Sequence, residues 1–359
     1  MSDKTIALAD DRTQRMDEKY SHRLVLTQTI LETNKDKYEI DLNNRIGMGG
    51  ESQVYLAKRM SDGEQVVVKI YDTFTDKRKL LTRKKILEFL RENSDYHQTH
   101  IMPLLDDGTT EMKDYDTDEL DIIDDIPFDV LPYCPEGAIK QCDYQTLKTK
   151  IIPEVLQALN LLHTNNLVHR DLKPSNIYFY DNVVVLADFG TTSRIQNIKE
   201  HEKTQVKRGT PGYTAPEMSD YYYVIATDYF SFGCTIATLY KGKHVYQNLI
   251  DTNDIENINI AMRRKGLPLE CSNDENSLQL LVNALVMRDE NMRAGYEAVR
   301  LWLDDVNSFE YKWRNTINQG FEKLSLNFDF EGIKFSNYQQ LADEVSSKWE
   351  IGKKYLFRG

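Results

Sequence analysis

The sequence predicts an α+β fold in two parts: a small antiparallel sheet with one main helix, then a larger helical body. Three observations lead there. Apolar runs of strand length, YEIDLNNRIG, SQVYLAKR and EQVVVKIYD, follow one another from Tyr38, broken by the turn-forming GMGGE and MSDG. After Gly137 the apolar residues recur at helical spacing, as with Ile152, Val155, Leu156, Leu159 and Leu162 in KTKIIPEVLQALNLLHTNN. The composition, 40% hydrophobic and 28% charged over 359 residues, suits a folded chain with room for one large or two ordinary domains.

Taken in order, residues 1–37 are polar with short apolar pieces such as Leu24-Val25-Leu26, and read as an extension that could form one helix. The first part spans 38–131. Its three strands precede a helix, DKRKLLTRKKILEFLREN, that starts after Asp76. Two short strands are expected at Met102–Leu105 and Phe128–Tyr133, and the acidic stretch between them, DDGTTEMKDYDTDELDIIDD, reads as a solvated, elongated hairpin loop. The second part spans 132–303, mainly helical, with two short strand-like segments around 177–187. Residues 304–359 form a C-terminal extension, a small packing or docking module. Within it FDFEGIKFSN looks like an extended pair around a glycine turn, and Leu341, Val345 and Trp349 share one helix face.

Charge and composition exclude several classes. Forty-five basic against 57 acidic residues give a formal charge of −12, which argues against generic binding to nucleic acid or to an anionic membrane. No run reaches the apolar length of a transmembrane helix, and the N-terminus lacks a signal-type apolar core. Cys134, Cys142, Cys234 and Cys271 are scattered without a CxxC pair, so reduced thiols and a cytoplasmic location are expected.

Polar groups cluster where the pattern wants burial. In IGMGGESQVYLAKR, Gly47, Gly49 and Gly50 sit where two strands meet, and residues without Cβ let backbone N–H groups approach phosphate oxygens. Such a hairpin is by itself weak evidence. Lys69 stands inside VVVKI, either as the outward alternate of an edge strand or as a buried cation. Glu88, nineteen positions on, is the only acid between Lys77 and Arg91, and could pair locally with Lys85 or Arg91 or reach Lys69. LVHRDLKPSNIYF places Asp171, Lys173 and Asn176 within six positions. Asp171 could take or orient a hydroxyl proton, Lys173 could neutralise a phosphoryl group, and Asn176 offers oxygen to a hard cation. VVVLADFG adds Asp188 and Gly190, and GTPGYTAPE adds Thr210 and Glu217. One carboxylate and one amide oxygen suit Mg²⁺, which takes few carboxylates besides substrate phosphates.

These motifs, in this order and spacing, resemble the protein-kinase signature set: the Gly-rich loop, the strand lysine, His169-Arg170-Asp171-Leu172-Lys173-Pro174-Ser175-Asn176, Asp188-Phe189-Gly190 and Ala215-Pro216-Glu217. The resemblance is to the eukaryotic-type serine/threonine kinase family, a bacterial member being one source in keeping with it, and covers about residues 38–303. It implies a two-lobed protein-kinase-like fold with the nucleotide between the lobes. By similarity Lys69 would hold the α- and β-phosphates of ATP with Glu88 as its ion-pair partner. Asp171 would be the catalytic aspartate, Lys173 would touch the γ-phosphate, and Asn176 and Asp188 would ligate Mg²⁺. Thr210 would bond Asp171 and Lys173, a serine/threonine-kinase trait that the DLKPSN loop shares. Ile46 and the three glycines would cover the nucleotide, Val54 and Val67 would roof the adenine, and Tyr178 would lie on its floor. Leu131 would be the gatekeeper, with Pro132 and Cys134 at the hinge. Glu217 with Arg293, and Asp228, match structural positions. The expected partner is a protein carrying a Ser/Thr acceptor, the chain itself included. The sequence departs from the pattern at Ser52, in place of the third glycine, and at Val67, in place of an alanine; neither removes a charged group, so an active enzyme is favoured over a pseudokinase. Arg170 resembles that of kinases whose activation segment is ordered by a phosphate, and Thr191, Thr192, Ser193 and above all Thr204 are candidate acceptors.

Overall fold

The computed structural model describes residues 24–322 except 50–51, 72–76, 115–120, 196–201, 204–208, 221, 256, 259–260, 263–265 and 273–274, together with 329–330 and 333–334. Alternating apolar residues build the first part. Strands β1 (Leu24–Leu26), β2 (Ile30–Glu32), β3 (Lys37–Gly49), β4 (Ser52–Arg59), β5 (Gln65–Ile70), β6 (Asp106–Asp114) and β7 (Asp121–Pro132) form one antiparallel sheet in the order β1-β6-β7-β5-β4-β3-β2. One face carries Leu24, Leu26, Leu31, Tyr38, Ile40, Tyr55, Val66, Val68, Met112, Phe128 and Val130, all buried. Because β1 and β2 lie at opposite edges yet only three residues apart in the chain, the sheet curls strongly on itself.

The sheet thus begins at Leu24, inside the stretch expected as an extension, and its residues there are strands rather than helix. Leu24, Leu26 and Leu31 supply the apolar contacts, and Gln53 Nε2 donates to the Leu24 carbonyl at 2.8 Å. The hairpin expected as an acidic loop is mostly strand, with β6 starting at Asp106, whereas Met102–Leu105, expected as a strand, is not one. Asp106 is the reason its acidity is tolerated at that end. It is 4% exposed, and accepts hydrogen bonds from Thr33 Oγ1 at 2.5 Å and Tyr38 OH at 2.9 Å, which ties the β2–β3 turn to the sheet. Helix α1 (Lys77–Glu92) buries Ile86, Phe89 and Leu90.

The second part is built round helix α3 (Ile225–Lys241), buried along nearly its whole length. Helix α2 (Ile152–Thr164), entered through a π-helical turn at Leu147–Ile151, α4 (Asn276–Leu285) and α5 (Tyr296–Asp304) surround it. Gly233 of α3 permits close approach to α4, since a Cβ there would stand 2.8 Å from Leu285 Cβ. Helix α6 (Val306–Glu322) continues the same core past residue 303: Phe309 is fully buried and Trp313 nearly so. Strands at Asp329–Phe330 and Ile333–Lys334 pair as the glycine-turn reading expected. The helix face at Leu341, Val345 and Trp349 lies outside the described residues. The whole is a two-lobed arrangement, with the curled sheet and α1 on one side and the helical body on the other.

Candidate active site

Lys69 lies on β5, a central strand between β4 and β7, so the edge-strand alternative falls away. Only 8% of it is exposed. A buried ammonium must find an anion, and Nζ donates to Asp188 Oδ1 at 2.5 Å. Asp188 follows the strand Val183–Leu186 and adopts left-handed backbone geometry at φ 64°, an uncommon state for a non-glycine residue. Gly190 lies close beside this pair. A Cβ there would lie 3.2 Å from Asp188 Oδ1 and 3.8 Å from Lys69 Nζ. Burial alone would raise the Asp188 carboxyl, but the charge and hydrogen bond of Lys69, with Lys173 behind them, hold it well below the usual carboxylate range.

The loop after strand β8 (Leu167–Val168) presents the other groups. Its backbone turns at Arg170, φ 70°, and that strain is held by Asp228 of α3. The fully buried Asp228 accepts from the His169 and Arg170 amides, both at 2.8 Å, and from His163 Nε2 at 2.9 Å. Burial would raise its carboxyl, yet the His163 bond and neighbouring charges leave it lowered. Thr210 Oγ1 donates to Asp171 Oδ1 at 2.8 Å and accepts from Lys173 Nζ at 2.9 Å. Lys173 Nζ also stands 3.2 Å from Asp171 Oδ2. Asn176 Nδ2 donates to the Asp171 carbonyl at 2.7 Å, which commits its nitrogen and leaves its oxygen as the atom that could hold a cation. The Ala187 amide donates to the Asn176 carbonyl at 2.8 Å, joining this loop to Asp188. Lys69 thus meets Asp188, and Asn176, Asp171, Lys173 and Thr210 form a second bonded set that a main-chain bond from Ala187, the residue before Asp188, joins to the first.

Above them, β3 and β4 pair Gly47 with Val54 and Gly49 with Ser52; Gly50 lies outside the described residues. Ile46, Gly47, Val54 and Val67 are half-buried. Val67 pairs with Leu131 across β5 and β7, and Pro132 ends β7. Tyr178, Leu131 and Cys134 pack against buried Met102, Val185 and Ala187. Burial pushes the Cys134 thiol up to about 11, so it packs as an unreactive apolar group. Below the site, Glu217 and Arg293 form a bidentate pair at 2.7 and 3.0 Å.

Glu88 does not join this set. It is exposed on α1, and no bond links it to Lys69. Relative to Ile86, at about 100° per residue, Phe89 and Leu90 fall within about 60° while Glu88 lies about 160° away, so the buried face, which joins the core of the helical part, turns Glu88 outward. Arg83 instead lies at the border of that face, about 60° from Ile86. Its Nη2 donates to Asp129 Oδ1 at 2.5 Å, and Tyr71 OH donates to Asp129 Oδ2 at 2.6 Å. Sequence reasoning missed all three. The available signals were the helical phase and the acid in FDVLP, which mirrors the lysine in VVVKI.

A family profile described as protein kinase domain matches residues 40–301. The chain belongs to this family. Among its curated relatives, an SNF-related serine/threonine-protein kinase of Homo sapiens is 29% identical over 274 residues, 74% of this chain and 34% of that protein. A calcium/calmodulin-dependent protein kinase type 1 of Caenorhabditis elegans is 31% identical over 230 residues, 62% of this chain and 61% of that one. A probable serine/threonine-protein kinase zyg-1 of the same species is 23% identical over 282 residues, 76% of this chain and 33% of that protein. The chain thus spans about a third of the length of the SNF-related kinases it matches.

Proposed function

We propose that this kinase-family chain is an active serine/threonine protein kinase that transfers the γ-phosphoryl of ATP to a protein hydroxyl, its own included. The observation that carries the reading is the pair of bonded sets, Lys69 with Asp188 and Asn176 with Asp171, Lys173 and Thr210, joined through the main chain at Ala187. Asp171 is oriented by Thr210 and Lys173 so that its carboxylate can receive an alcohol proton. Lys69 and Lys173 hold positive charge fixed where phosphate oxygens would lie, without reorganisation at the moment of transfer. Asp188 and the Asn176 oxygen fit Mg²⁺, whose chemistry when bound is to neutralise phosphate charge. The space kept by Gly190 supports that fit. Val54, Val67, Leu131, Pro132, Cys134 and Tyr178 would enclose the adenine, with Ile46, Gly47, Gly49 and Gly50 above the phosphates.

The outward Glu88 favours a second reading, a kinase-like scaffold that binds nucleotide or a partner without catalysis. Radiolabelled ATP with Mg²⁺, casein and the chain separates the two. The enzyme reading expects incorporation that falls by about a hundredfold or more in Lys69→Met and Asp171→Asn. Zero transfer before and after both changes leaves the scaffold. Phosphosite mapping of the same reaction tests residues 191–204 as acceptors; Thr204 itself lies outside the described residues. A cytoplasmic setting is supported by four cysteines without disulfides. Among the described residues no helix is long and apolar enough to cross a membrane.

A further inference from the structure

Four charged groups and one tyrosine meet where α1, β5 and β7 face the Asp188 loop. Lys69 and Asp129 are direct cross-strand partners in the β5–β7 register. Facing side chains in such a pair sit about 5 Å apart at Cβ. Lys69 thus has two buried or half-buried carboxylates within its reach, Asp188 and Asp129, and Nζ is bound to Asp188. Asp129, 5% exposed, is occupied from elsewhere. Arg83 covers it with Nη2 at 2.5 Å and Nη1 at 3.4 Å, and Tyr71 OH adds a third bond at 2.6 Å. Both cations lie over the Tyr71 ring, Arg83 Cζ at 4.4 Å and Lys69 Nζ at 5.3 Å from its centre. The same ring touches the space that Gly190 keeps open, since a Cβ there would stand 3.4 Å from Tyr71 Cε1.

We infer that Arg83 is a positioning residue: it masks Asp129 so that Lys69 keeps its charge for Asp188 and for nucleotide phosphates. An uncovered Asp129 would compete for Lys69, because a buried carboxylate must draw the nearest cation. Arg83 also fixes α1 to β7, a task that Glu88, pointing outward, does not perform. The inference deepens the kinase reading and rests on it.

The sign of the effect separates masking from plain anchoring. Removing the mask harms phosphate binding; removing mask and carboxylate together restores it. Calorimetric titration with ADP plus Mg²⁺, and separately with adenosine, reads this without any turnover. In Arg83→Gln, ADP binding weakens about tenfold or more, the loss of one charge-assisted contact, while adenosine binding changes less than about twofold. Asp129→Asn keeps ADP affinity within about threefold, and so does the double change Arg83→Gln/Asp129→Asn. Arg83→Lys, which keeps the cation, stays close to the unaltered chain. A mere anchor predicts the reverse, with the double change at least as weak as either single one. Unchanged ADP binding in Arg83→Gln overturns the inference alone. So does loss of ADP binding in Asp129→Asn, which can be read even if Arg83→Gln does not fold. If the unaltered chain binds neither ADP nor adenosine, the kinase reading falls and takes this inference with it.

Discussion

Replacing Arg293 with methionine leaves Glu217 as a carboxylate sealed in the protein without a counter-charge. The two side chains are 0% and 1% exposed, so no solvent screens the pair. Arg293 also donates to three backbone carbonyls, Ala226 at 2.7 Å, Met287 at 2.9 Å and Arg288 at 3.3 Å, and each loses its donor. Glu217 keeps one partner, the Thr227 hydroxyl at 2.9 Å. Breaking a buried pair from one side costs about 3–5 kcal/mol. At about 2–4 °C per kcal/mol this is a Tm loss of about 6–20 °C. Urea unfolding followed by circular dichroism measures it. Changing both residues to apolar ones, Glu217→Leu with Arg293→Met, removes the stranded charge and recovers part of the loss. If Arg293→Met costs less than about 1 kcal/mol, or the double change is no better than the single one, the pair does not carry the stabilisation assigned to it.

Three further outcomes follow from the packing. His244 is buried, with Nε2 donating to the Gly212 carbonyl at 3.0 Å and Nδ1 accepting from the Tyr246 amide at 3.1 Å; burial lowers its pKa to about 4 from 6.5 despite the Gly212 bond. Only the unfolded state gains a proton between those values, so stability drops by about 3 kcal/mol as pH falls through that window, and His244→Gln flattens the slope in denaturant titrations. Gly233→Ala forces a methyl against Leu285 and Val286 and destabilises by about 1–3 kcal/mol, read from the urea midpoint. Phe309→Ala costs about 3–5 kcal/mol, against the near-zero cost expected if residues beyond 303 were a separate appendage.

The sequence alone determined the two-part layout, because strand and helix periods in apolar residues report which faces are buried. It also singled out the polar groups that the structure gathers at the candidate site. Asp171, Lys173, Asn176 and Asp188 lie on short, stiff segments whose partners, such as Asp228 and Thr210, are drawn from the same motifs. Two matters were decided only by tertiary structure. The edges of the curled sheet recruited Leu24, Leu26 and Leu31, short apolar pieces with no signal of their own, since a three-residue strand is stabilised by the sheet it joins and not by its own pattern. The choice between Glu88 and Arg83 was settled by the angle at which α1 packs. Spacing along the chain counts residues, whereas an ion pair depends on which side of a helix faces the sheet and on which strand places a carboxylate opposite.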